Sequence, residues 1–127
     1  MNKKPSIFLR FMKQCETRDQ HFDSSLKSHY YKTSFEKVYN TVLDLINTKD
    51  EMAIISQSKE HGEISVQVQN KLDAFLIITI IQVRPFETSV DFMISSEKFS
   101  LTGLYPSLKK VILEMYKELD SKLPRKE

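Results

Sequence analysis

The clearest feature of the chain is the recurrence of apolar side chains at helical spacing in two segments. Thr33 and Glu36 have the spacing of a capping box, and the apolar residues after them predict a helix over residues 34–47. A second helix is predicted to have Pro106 in its first turn, where proline is well tolerated, and to end near Leu123. The two apolar stripes are Phe35, Val38, Tyr39, Val42, Leu43 and Ile46, then Leu104, Leu108, Val111, Ile112, Met115 and Leu119.

Five shorter segments have the patterns of β-strands. Residues 29–33 are aromatic, and residues 64–69 alternate strictly between apolar and polar side chains, which predicts one buried and one solvated face. Residues 74–83 are apolar at both odd and even positions, and Pro85 ends this strand because proline has no N–H for a ladder. The remaining predicted strands are residues 52–55 and 88–95.

From residue 28 the predicted order of elements is strand, helix, four strands and helix. The connections between the last four strands are short, so neighbouring strands should pair antiparallel as a meander. Two amphipathic helices can cover one face of such a sheet. The sequence therefore predicts an α+β two-layer sandwich of order β-α-β4-α, with a curved antiparallel sheet and both helices on one face.

The N-terminal residues follow a different pattern. Phe8, Phe11, Met12 and Cys15 share one face of a predicted short basic amphipathic helix over residues 5–18. The residues after it lack a clean period and have the composition of a linker. We therefore expect an N-terminal amphipathic segment and linker (residues 1–27), a single α+β domain (residues 28–123) and a polar tail (residues 124–127).

The order of elements resembles the fold of the TATA-binding-protein half-repeat and of the helix-grip proteins, which include the Bet v 1 and START-like families. Within that group, residues 29–119 resemble a small bacterial α+β domain family of unknown function. The matching segments are residues 31–39 (a strand end, a cap and a helix start), 62–66, 88–96 and 104–119. The resemblance implies the fold and carries no activity with it.

The strand over residues 74–83 raises the question of what covers the second face of the sheet. Leu76, Ile78 and Ile80 lie on one of its sides, and Phe75, Ile77, Ile81 and Val83 lie on the other. A strand that is apolar on both sides needs a cover on each, since monomers seldom leave a contiguous apolar patch in water. Three covers are available: the N-terminal segment, a second copy of the protein, or a ligand.

Two functional hypotheses follow from this strand. The first is a non-enzymatic protein that forms a homodimer or binds another protein through the second face of its sheet. Its candidate partner-binding residues are Phe8, Phe11, Met12, Leu76, Ile78 and Ile80. The alternative is a small apolar-ligand carrier with a pocket between the sheet and the C-terminal helix, lined by Phe75, Ile77, Ile81, Phe92 and Ile94.

Composition and charge narrow the functional classes further. The 127 residues are 40% hydrophobic and 28% charged, which is typical of a globular domain, and the net charge of +2 is too small to predict nucleic-acid binding. No stretch approaches the roughly 20 apolar residues of a membrane span, and the single cysteine excludes an internal disulfide, so we expect a cytoplasmic protein. Residues 1–18 also fit contact with an anionic membrane surface, although a packing helix with solvated charges explains them better.

The residues that commonly carry chemistry do not have catalytic or metal-binding spacing. His21, His29 and His61 are not paired with Cys15 or with each other at ligand spacing, so no metal or cofactor is expected. With only two glycines the chain lacks a glycine-rich phosphate loop, and no set of acid, base and nucleophile is recognisable. We therefore expect no enzymatic activity.

Overall fold

Six antiparallel strands and two α-helices form the fold in the computed structural model, which describes residues 12–98 and 100–126. This confirms the predicted α+β class, with an antiparallel open sheet. The strands are β1 (Gln14–Glu16), β2 (His29–Tyr31), β3 (Met52–Ser58), β4 (Glu63–Val68), β5 (Ala74–Arg84) and β6 (Glu87–Ser96). The helices are α1 (Phe35–Asn47) and α2 (Tyr105–Lys122).

The sheet has the order β1-β6-β5-β4-β3, and β2 pairs with β6 on the same side as β1. Strands β3 to β6 form the predicted meander. Strands β5 and β6 meet in a tight hairpin in which Arg84 is paired with Glu87 across Pro85 and Phe86. Strand β5 is therefore flanked by β4 and β6, at the centre of the sheet.

Strands β1 and β2 together form one interrupted edge of the sheet. β1 pairs with the end of β6 and β2 pairs with its beginning, so both run in the same direction along β6. The excursion between them is closed by two backbone hydrogen bonds, from the Arg18 N–H to the Leu26 carbonyl (3.1 Å) and from the Ser28 N–H to the Arg18 carbonyl (3.2 Å). Leu26 is fully buried and anchors this excursion in the core.

The amphipathic helix predicted over residues 5–18 is wrong at its C-terminal end, because Gln14–Glu16 is a strand. The spacing of Met12 and Cys15 suits a helix, but Cys15 and Thr17 also alternate with polar neighbours and are both buried against β6. Pairing with the free edge of β6 satisfies backbone groups that an isolated helical turn would leave exposed. Residues 5–11 of that prediction lie outside the described residues.

The C-terminal residues also join the sheet. Tyr31 forms an antiparallel bridge with Arg125, the Lys126 N–H donates to the Tyr30 carbonyl (2.9 Å), and the Lys32 N–H donates to the Pro124 carbonyl (2.7 Å). The chain that follows α2 thus runs beside β2. Both described flanking segments, residues 12–27 and 124–126, are consequently part of the folded domain.

Both helices cover one face of the sheet. α1 begins at Ser34, whose Oγ accepts the Lys37 N–H (3.1 Å), so the N-cap is one residue later than the predicted Thr33. α2 carries Pro106 in its first turn, as predicted. Between the layers lie the inward side chains of both helices and the sheet, among them Val42, Ile46, Ile64, Val66, Leu76, Ile78, Phe92, Ile94, Leu108, Ile112, Met115 and Leu119.

Gly62 closes the turn between β3 and β4 in a conformation that requires glycine. Its φ is +66°, and a Cβ atom at this position would lie 2.1 Å from the Ile80 carbonyl oxygen. We expect Gly62→Ala to lower the free energy of unfolding by at least about 2 kcal/mol, because of both the left-handed backbone and this collision with β5. Urea unfolding measures the effect, with His61→Ala at the exposed neighbouring position as control; equal stability of the two variants would contradict it.

Tyr39 on α1 carries a buried hydroxyl with no hydrogen-bond partner among the described residues, and the side chain is 3% exposed. Tyr39→Phe should raise the free energy of unfolding by about 1 kcal/mol, because it removes an unsatisfied polar group. The matched control is Tyr116→Phe, which removes a hydroxyl that donates to the Val90 carbonyl (2.6 Å) and should lower stability. A loss of stability in Tyr39→Phe, measured by thermal unfolding, would count against this account of the core.

Candidate functional site

The face of the sheet opposite the helices is uncovered and carries apolar side chains along its central strand. We call it the open face and define it by Phe75, Ile77 and Ile81 of β5 and Met93 of β6. Ile77 is paired with Met93, which places the two side chains next to each other. Phe75 is 38% exposed and Ile81 is 49% exposed, so the outer side of the central strand remains in contact with solvent. These residues form an apolar strip along β5, which Thr79 interrupts between Ile77 and Ile81.

Polar residues surround this strip on the neighbouring strands. Gln67 and Ser65 of β4 are paired with Phe75 and Ile77, and Ser95 and Ser89 of β6 are paired with Phe75 and Ile81. A bulge in β3 between Ile54 and Ser56 leaves Ile55 exposed. A second bulge, near the end of β5 between Gln82 and Arg84, leaves Val83 exposed. The open face therefore has apolar side chains along its central strand and hydroxyl and amide groups on the strands beside them.

Three carboxylates lie on the open face, and two of them have partners within the chain. Asp91 and Glu63 are paired with Thr79, which lies between Ile77 and Ile81 at the middle of β5. Glu16 of β1 pairs with Arg18 (3.0 Å), and Asp91 accepts a hydrogen bond from Thr17 Oγ1 (2.7 Å). Glu63 of β4 is exposed at the other side. A face with this distribution of charge lacks the cationic surface that a polyanion requires.

The even-numbered residues of β5 that are predicted to bind a partner lie on the opposite side of the strand. Leu76 and Ile78 are fully buried and Ile80 is 2% exposed, because α1 packs against this side of β5 while α2 covers the same face of the sheet over β6 and β1. The sequence predicts a cover on both sides of β5. The chain itself covers this side, and the side with Phe75 and Ile81 remains exposed. Of the remaining candidates, Met12 is exposed next to β1, and Phe8 and Phe11 lie outside the described residues.

The five residues proposed for a ligand pocket do not share a face. Phe92 and Ile94 are paired with Ile78 and Leu76 and are buried under the helices, whereas Phe75, Ile77 and Ile81 belong to the open face. The space beneath the C-terminal helix is occupied by its own buried side chains, which are Leu108, Ile112, Met115 and Leu119. The structure thus divides the predicted pocket between two surfaces.

A cluster of polar side chains fills the break between β1 and β2. The Asp91 carboxylate of β6 accepts hydrogen bonds from the hydroxyls of Thr17 and Ser28, one on each side of the break. Thr17 Oγ1 accepts the N–H of Phe92 (3.0 Å). Asp91 therefore replaces the ladder contacts that a continuous edge strand would make, and it has a structural role.

A second cluster joins β2 to the end of α2. Asp120 Oδ1 accepts hydrogen bonds from the Tyr31 hydroxyl (2.7 Å) and from His29 Nδ1 (3.0 Å). Asp120 Oδ2 pairs with Arg125 (2.9 Å). The His29 ring stacks on Tyr116 with 3.5 Å between the ring centroids and 6° between the planes. This arrangement orients an imidazole, but no nucleophile is hydrogen-bonded to it among the described residues.

Cys15 and the other histidines have structural partners. Burial raises the pKa of the Cys15 thiol above its usual value, so the thiol remains protonated and unreactive at neutral pH. His21 Nδ1 accepts the Asp23 N–H (3.0 Å), and His61 Nδ1 is 2.7 Å from Ser58 Oγ. In residues 12–98 and 100–126, no three side chains of the metal-binding types lie close enough to hold an ion.

No pattern in the sequence predicts the two polar clusters. His29 and Asp120 are 91 positions apart, and Asp91 is 63 positions from Ser28, so no local spacing connects them. The one local signal was the alternation from Gln14 to Thr17, which predicts a short strand and would have placed Thr17 beside β6. This alternation covers only four residues, so the helical spacing of Phe8, Phe11, Met12 and Cys15 outweighs it in a prediction.

Comparisons with protein-family models, curated proteins and solved structures gave no match. The resemblance to the bacterial domain family therefore stays a prediction. Within the described residues, neither α1 nor α2 has both the length and the apolar composition that a bilayer-spanning helix needs.

His29 should make the stability of the protein depend on pH. Burial lowers the pKa of its imidazole below the usual 6.5 and outweighs the hydrogen bond to Asp120. The unfolded chain then binds the proton more readily, so stability is fully present above about pH 6.5 and is lost as the pH falls towards the folded-state pKa. Thermal unfolding between pH 8 and pH 5 measures this loss.

His29→Gln should flatten that pH dependence, and the exposed His61→Gln serves as the matched control. Part of the loss should persist in His29→Gln, because burial also lowers the pKa of His21. If His29→Gln and the wild-type protein lose stability in parallel over this range, His29 is not the responsible group.

Proposed function

We propose that this protein is a non-enzymatic domain that self-associates through the open face of its sheet. The single observation that carries the proposal is the half-exposed apolar strip Phe75, Ile77 and Ile81 on the central strand. The covered side of the same strand is completely buried by the helices of the chain. A second copy of the protein would cover the open face with the same apolar side chains.

The arrangement of the open face supports this proposal. Protein interfaces commonly combine apolar side chains at their centre with polar groups around them. On the open face, Phe75, Ile77 and Ile81 lie among the hydroxyl and amide groups of the neighbouring strands. The carboxylates of Glu16 and Asp91 have partners within the chain. Of the three acidic residues on the open face, Glu63 alone would therefore bring an exposed, unpaired charge towards a second copy.

The size of the face is comparable to that of a standard interface. Five strands about 4.8 Å apart and a central strand of 11 residues rising about 3.4 Å each give a face of at most roughly 24 by 37 Å. A standard interface buries about 800 Å² on each partner. Most of the open face would therefore be covered in a dimer.

We also propose the finer features of topology and location. The order strand, helix, four strands and helix from residue 28 onwards, with β2 paired to β6, is consistent with the helix-grip and TATA-binding-protein half-repeat topology. A buried, unpaired Cys15 thiol suits a reducing compartment, which supports a cytoplasmic location. The acidic residues on the open face, Glu16, Glu63 and Asp91, argue for a protein partner and against nucleic acid.

Sedimentation of the full chain over a range of concentrations tests the proposed dimer. Ile77→Lys places a charge at the centre of the open face and should weaken the dimer at least about 30-fold, or about 2 kcal/mol. Ile77 is already partly exposed, so the longer, charged side chain can reach water in the monomer.

The matched control is Leu101→Lys, in the loop between β6 and α2, where the side chain is 84% exposed. This variant should associate as the wild-type protein does. A strictly monomeric wild-type protein, or an unchanged dimer in Ile77→Lys, would refute self-association through this face.

A further inference from the structure

A groove of about 610 Å³ lies where β2, the β5–β6 hairpin and the C-terminal residues meet, apart from the centre of the open face. Its lining is rich in cations. Four lining side chains are basic and one is acidic, which leaves a charge of +3 with the histidine neutral: Lys27, Arg84, Arg125 and Lys126 against Glu87. The charge is concentrated here, since the whole chain carries only +2.

Glu87 holds two of these cations in place. Its carboxylate is 3.4 Å from Arg84 Nε through one oxygen and 2.9 Å from Lys126 Nζ through the other. The Glu87 side chain is 13% exposed, whereas Arg84 is 68% exposed. The positive groups are therefore the ones that reach solvent, and the carboxylate beneath them limits their freedom.

The backbone around the groove is also fixed. Phe86, at the tip of the hairpin, adopts a φ of +57°, which bulky residues rarely do, and this turn brings Arg84 opposite Glu87. On the other wall, the pairing of Lys126 with Tyr30 holds the C-terminal residues against β2. A ligand would therefore meet positioned cations, which lowers the entropy lost on binding.

His29 adds a neutral polar group to the same groove. Its Nδ1 bonds the Asp120 carboxylate, which can only accept, so Nδ1 carries the proton and Nε2 of the neutral ring is an acceptor. Among the described residues Nε2 has no hydrogen-bond partner. Asp120 also pairs with Arg125, so the imidazole and this cation are held by one carboxylate.

We propose that this groove binds a soluble phosphorylated sugar or polyol. The phosphate would lie among Lys27, Arg84 and Lys126, since a dianion is matched by several cations and the guanidinium can donate two parallel hydrogen bonds. A neighbouring hydroxyl of the ligand would donate to His29 Nε2. A ligand with a simple carboxylate would have neither the second negative charge of the phosphate nor the neighbouring hydroxyl group.

Calorimetric titration of the full chain with glycerol 3-phosphate tests the proposal, and inorganic phosphate is the second probe. Glycerol 3-phosphate should bind saturably and more tightly than inorganic phosphate. Arg84→Glu should weaken binding of both probes at least about tenfold. Lys59→Glu is the matched control, because Lys59 is also a more than half-exposed cation paired with a glutamate, but in the β3–β4 turn; it should bind normally.

His29→Phe separates the hydroxyl contact from the charge. The phenyl ring can keep the stacking on Tyr116 but has no acceptor, so this variant should lose the preference for glycerol 3-phosphate and still bind inorganic phosphate. Circular dichroism confirms that each variant is folded before its titration is interpreted.

Three results would overturn the proposal. The first is the absence of saturable binding of glycerol 3-phosphate to the wild-type protein. The second is equal weakening by Arg84→Glu and Lys59→Glu. The third is binding to phosphatidylglycerol vesicles without binding of the soluble phosphate, which would assign the same chemistry to a lipid headgroup.

Discussion

Strand β5 imposes the constraint on which the rest of the structure depends. It is central in the sheet and apolar on both sides, and the two described helices of the chain lie over one side only. Burying Leu76, Ile78 and Ile80 beneath α1 and α2 builds the core and leaves Phe75 and Ile81 half-exposed on the other side. Because apolar area in water is unfavourable in proportion to its size, the open face is the surface from which association gains most.

The interrupted edge beside β6 has consequences for the polar part of the molecule. Where β1 stops and β2 has not begun, the hydroxyls of Thr17 and Ser28 and the carboxylate of Asp91 satisfy each other. Buried polar groups without partners would cost about 1–3 kcal/mol each, so this cluster makes the interruption tolerable. The same interruption places Lys27 and His29 next to the β5–β6 hairpin, and the basic groove forms between them.

The candidate site could be predicted only in part. The apolar character of both sides of β5 was visible, but periodicity cannot tell which side the helices cover when both are apolar. The two sides of β5 were therefore exchanged. Leu76, Ile78 and Ile80 were predicted to face a partner but lie under the helices, and Phe75, Ile77 and Ile81 were predicted to line a pocket under the C-terminal helix but lie on the open face. The contact between His29 and Asp120 has no sequence signal, because it depends on how the end of α2 lies against β2.

The sequence by itself determined the two helices, the four-stranded meander and the tight turn at Pro85, since caps, prolines and apolar periods act within a few residues. The tertiary structure alone decided that Gln14–Glu16 is a strand, that the two edge strands share β6, and that the C-terminal residues join β2. Those features depend on hydrogen bonds and burial between segments far apart in the chain. A short segment whose letters suit either a helix or a strand adopts the one for which a partner is available.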